Sequence, residues 1–195
     1  MSNSNFKKQE DAARFHRVQL ELVARAAQAA EEMVNNYYKL SSSDWLKNRY
    51  DIQTAKDLSG AERLDGPLAQ VIKYQGRKAG KALGSSLFSF YKICLQDRTI
   101  LSAAGAHQFD LYALLLYVLT HELVHVVRFS TFEHRYENQS EVDVTCAEER
   151  RVHGITRDIL KDVSISGLNQ VVEFYDDWLF GDPDFLSLKN LSRHS

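Results

Sequence analysis

His121, Glu122 and His125 are the residues whose types and spacing could do chemistry. Helical residues four apart lie on one face, about one turn from each other. Two imidazoles at that spacing can each aim a ring nitrogen at the same ion. Glu122, three residues before His125, borders that face and can reach a water beside the ion without ligating the ion itself. H-E-x-x-H therefore holds two zinc ligands and a general base, the core of a hydrolytic centre. The same groups on an apolar helix are costly to bury unless something satisfies them.

Two histidines do not complete a catalytic zinc site, which takes three protein ligands and a water. Three candidates for the third ligand follow in the chain: Glu149 on a predicted helix over 141–160, His134 in the connecting loop, and Glu141 at the helix start. On its H-E-x-x-H motif the sequence resembles the zincin metallopeptidases. The stretch Glu148-Glu149-Arg150-Arg151-Val152-His153 resembles the second signature of their gluzincin branch, in which a ligand Glu is followed four residues later by an Asp that orients the first His. That resemblance implies Glu149 as the third ligand, with His153 standing where the family has Asp. A neutral imidazole orients a ligand histidine less strongly than a carboxylate does. The metzincin branch fits less well, because Arg128 and Thr131 occupy the positions where its longer signature needs Gly and His. His134 and Tyr136 are candidates for stabilising a developing oxyanion. The resemblance also implies that the segment from Phe88 to Leu101 lines the cleft and pairs with an extended substrate.

The element that must carry the motif is a helix over 111–130. Asp110 can cap it, and the run from Leu111 to Leu119 is apolar on every face, as in a core helix; the run is too short to cross a bilayer. Before it, residues 86–95 read as a strand, Asp97-Arg98 as a turn and 99–101 as a return strand. A long amphipathic helix is predicted from about residue 8 to 39. Its apolar stripe is Phe15, Val18, Leu22, Ala26, Ala29, Met33 and Tyr37. A second helix is expected over 45–58, a short one over 68–74 behind Pro67, and another over 168–180. The glycine-rich stretch 76–84 lacks the phosphate-loop pattern and reads as a solvated loop. The fold class expected is mainly α with a small β element (α+β), a short hairpin or sheet beside the metal-binding helix. Residues 1–60 would form a helical arm packed on a core domain of residues 61–195.

The charges nearly cancel, 24 basic against 26 acidic, so no basic surface argues for nucleic acid. Cys94 and Cys146 stand far apart and outside any C-x-x-C pair, which argues against a zinc ribbon or a disulfide framework. The N-terminus is polar, with no signal-like segment behind it, so a cytoplasmic protein that does not engage a membrane is expected. The function expected is that of a zinc-dependent hydrolase acting on a peptide or protein. The alternative is a non-catalytic metal-binding or helical interaction protein. A di-iron carboxylate bundle would need a second E-x-x-H, and Glu149 and His153 are four apart instead of three.

Overall fold

The computed structural model describes residues 14–41, 44–45, 49–77, 87–132 and 141–181. In chain order they form α1 (Arg17–Tyr38), β1 (Arg49–Gln53), a 3-10 turn (Gly60–Glu62), β2 (Ala69–Arg77), β3 (Leu87–Leu95), α2 (Asp97–His107), α3 (Leu111–Phe132), α4 (Glu141–Leu160) and α5 (Leu168–Gly181). The chain is mainly helical with one small mixed sheet, ordered β1-β3-β2. β1 runs parallel to β3 and β2 antiparallel to it.

α3 is the axis of the molecule. Asp110 Oδ1 accepts from the Ala113 N–H at 3.0 Å, the expected cap. Leu114, Leu115, Leu116, Leu119, Leu123 and Val124 are fully buried along it. The helix is long and apolar enough to cross a membrane over Leu111–Ser130, and 89% of that stretch is buried inside the protein. α1 packs along α3 through Val23, Ala26, Ala30 and Val34. The expected stripe is turned by about one residue, for Val18 and Tyr37 are exposed. The cause is size, since two alanines let the backbones approach closely where bulky side chains would hold them apart.

Other elements also depart from expectation. The predicted helix over 45–58 gives way to β1, in which the half-buried Tyr50 and Ile52 alternate with the exposed Arg49 and Asp51. The predicted helix over 68–74 is strand β2. The predicted return strand over 99–101 lies inside α2, whose first residue is Asp97. The Asp97 carboxylate is buried and accepts from the Phe15 N–H at 2.8 Å and the Ala55 N–H at 2.9 Å. Of the stretch 76–84, residues 78–84 lie outside the described residues.

Candidate metal centre

α3 and α4 bring the chemistry together. His121 and His125 are both buried, and their Nε2 atoms are 3.1 Å apart. Glu149 reaches across from α4, with Oε2 3.5 Å from His121 Nε2 and Oε1 3.6 Å from His125 Nε2. Donors about 2.0–2.2 Å from a tetrahedral zinc are separated by about 3.3–3.6 Å. The three side chains thus already stand nearly at the spacing of ligands around one ion. On its far side, His121 Nδ1 is buried and makes no hydrogen bond among the described residues, so the outer partner usual for a ligating histidine is not found there. The donor set fits zinc: two imidazoles and a carboxylate are one of the three-ligand sets found in open catalytic sites.

Glu122 is 7% exposed. Its charge is felt at Cys94 of β3. Burial first, then the Glu62 and Glu122 charges, push the Cys94 thiol up to about 11, against the opposing charge of Lys92. A thiol held protonated at that value is neither a ready nucleophile nor a ready ligand.

The placement of Glu149 depends on its neighbour. Arg128 and Glu148 form a buried bidentate pair, Nε to Oε1 at 2.5 Å and Nη2 to Oε2 at 2.9 Å. Arg128 is one turn past His125, and Glu148 immediately precedes Glu149. The pair therefore ties α3 to α4 at the level of the site. In the sequence, residues 148–151 resemble an ordinary charged helix face; in the structure Glu148, Val152, His153, Thr156 and Leu160 are the buried side of α4. Partnered polar groups take up much of that side and interrupt its apolar stripe.

His153 is buried near His121, with ring centroids 4.3 Å apart. The donor atoms of His121, Glu149 and His153 all lie within 4.8 Å of one another. His153 Nδ1 is hydrogen-bonded to the Tyr117 hydroxyl at 2.6 Å. Tyr117 is stacked on Tyr175 at 4.9 Å, and burial holds its phenol well above the ordinary value of 10.0. In the sequence Tyr117 is one of a run of apolar residues, and only its four-residue spacing from His121 hinted at a place on the same face.

The structure thus brings His121, His125 and Glu149 together, with Glu122 buried on the same turn of α3. His134 and Tyr136 lie outside the described residues, as does the Glu141 side chain. The cleft expected along Phe88 to Leu101 does not form as predicted. β3 is the central strand, its hydrogen-bonding edges already taken by β1 and β2, and residues from Asp97 onward are helical. An extended peptide cannot add to a strand paired on both sides. Comparison with models of known protein families, with curated proteins and with solved structures gives no match.

Proposed function

We propose that this chain is a zinc-dependent hydrolase of peptide bonds, resembling a minimal gluzincin, with His121, His125 and Glu149 as the metal ligands. The observation that carries the reading is the convergence of two imidazole nitrogens and one carboxylate, 3.1 to 3.6 Å apart, from two buried helices. A bound zinc ion would supply positive charge that acidifies a water and polarises a carbonyl. The protein supplies the rest. Glu122, on the helix turn that carries both histidines, takes the proton from the attacking water and hands it to the leaving nitrogen. The Arg128–Glu148 pair holds Glu149 in register with α3. The apolar body of α3 fixes the histidine backbone, so the ligands converge with little ordering left to do on binding.

The test is elemental analysis of the purified protein together with turnover of a mixed peptide substrate. His121→Ala and Glu149→Ala are expected to lose the zinc. Glu122→Gln is expected to keep it and lose at least about 100-fold in hydrolysis, the lower end of what a general base contributes. Full activity in Glu122→Gln with zinc bound would sink the mechanism.

A further inference from the structure

Four of the polar residues at the α3–α4 contact form two matched pairs. His121 and His125 are four apart on α3; Glu149 and His153 are four apart on α4. Each pair presents two side chains on one helix face, and the two faces meet. Three of these residues serve the proposed zinc site. We propose that the fourth, His153, is itself a donor to the metal, so that the resting centre has four protein ligands. The inference rests on the metal reading given above and adds a ligand to it.

Three observations carry it. The first is distance: the donor atoms of His153, His121 and Glu149 lie within 4.8 Å of one another, and His125 Nε2 is 3.1 Å from His121 Nε2. The second is the grip on its far nitrogen. A ligating histidine nearly always has its other ring nitrogen held by an outer partner, which fixes tautomer and ring orientation. Tyr117 provides that partner for His153 at 2.6 Å, and the stack on Tyr175 keeps the phenol in place. With Nδ1–H donating to the phenol oxygen, the Nε2 lone pair is the one offered to a metal. The third is what His153 leaves undone. In the role of the family's Asp it would satisfy His121 Nδ1, and that atom makes no hydrogen bond among the described residues. His153 therefore stands beside the donor cluster without filling the orienting role its sequence position suggests.

A closed tetrahedral set of protein ligands is the mark of a structural zinc site, whereas catalytic sites keep one position open. Here His153 would fill the fourth position, and hydrolysis would require a water to displace it or to join as a fifth ligand. The experiment is X-ray absorption on the zinc-loaded full-length protein, paired with visible spectra of the cobalt-loaded protein and of His153→Ala. Three imidazoles per zinc are expected in the wild type. His153→Ala should lose the intense tetrahedral cobalt bands and bind metal at least about 10-fold more weakly, and added imidazole should restore the bands. Two imidazoles per zinc, or an unchanged cobalt spectrum in a folded His153→Ala, would overturn ligation by His153 and leave the zinc centre standing. Failure of the wild type to bind either metal would overturn the zinc reading and the fourth ligand with it. The imidazole count needs no variant, so a variant that fails to fold does not block the test.

Discussion

Glu62 collects three donors on one carboxylate. Lys92 Nζ lies 2.5 Å and the Tyr74 hydroxyl 2.8 Å from Oε1, while the Ser59 N–H lies 2.8 Å from Oε2. The Lys92 ammonium above all, then the Ser59 and Tyr74 donors, hold its carboxyl down at about 2, against an ordinary value of 4.5. A carboxylate with a depressed folded pKa contributes stability that is fully present above its unfolded value and is lost as pH falls through the folded one. The window therefore runs from about pH 4.5 down to about pH 2. Glu62→Gln should be less stable than wild type at pH 7, and the gap should narrow across that window; denaturant melts at several pH values would show it. A gap that stays constant down to pH 2 would mean that the three donors do not favour the ionised form. Glu62 and its partners were not singled out from the sequence, since the contacts join residues from three elements. The metal residues are the opposite case. His121, Glu122 and His125 declare themselves through local spacing on one helix, and Glu149 through a second spacing on another. Tyr117 was hidden because a tyrosine in an apolar run reads as packing, and its hydroxyl contact with His153 spans 36 positions.

At the scale of elements, the long helices were legible and the short pieces were not. α3 carries its own cap and an unbroken apolar run, so its place in the core follows from composition. β1 and β2 lack such autonomy. The segment around β1 contains Arg49, Gln53, Ala55 and Lys56, all tolerant of helix, and residues Arg49–Gln53 become a strand because β3 offers a row of backbone partners at Phe90 to Cys94. Thr99-Ile100-Leu101 looks like a strand by residue type. It is helical because Asp97 begins a turn that Ser102 to Ala106 can continue. The junction of α3 with α5 makes a sharper demand. Gly167 adopts φ +78, and a Cβ there would stand 3.2 Å from Asp110 Cβ, against the residue that caps α3. Gly167→Ala should cost roughly 1–2 kcal/mol from the left-handed backbone alone. Thermal melts should then show the midpoint lowered by about 2–8 °C for a chain of this size. An unchanged midpoint would mean that the turn can relax without disturbing the cap.

Across the whole molecule, the apolar side chains of α1, the sheet and the later helices join one buried cluster, and much of α1 is spent covering α3. Most of the polar order described above lies between segments far apart in sequence. Asp97 is the extreme instance. Its two oxygens hold the Phe15 N–H, 82 positions away, and the Ala55 N–H, 42 positions away. Burial raises its carboxyl above the usual range while the N–H donors pull it back. Each contact closes a long loop, and the entropy of closing a long loop must be met before the contact returns anything. Both bonds should therefore form after the rate-limiting barrier of folding. Stopped-flow kinetics should find Asp97→Ala refolding at nearly the wild-type rate and unfolding roughly 10- to 100-fold faster, the signature of an interaction absent from the transition state. Slowed refolding would place the knot in the nucleus instead. A fastening tied last and released first makes the lifetime of the native state, more than the speed of reaching it, the quantity that Asp97 controls.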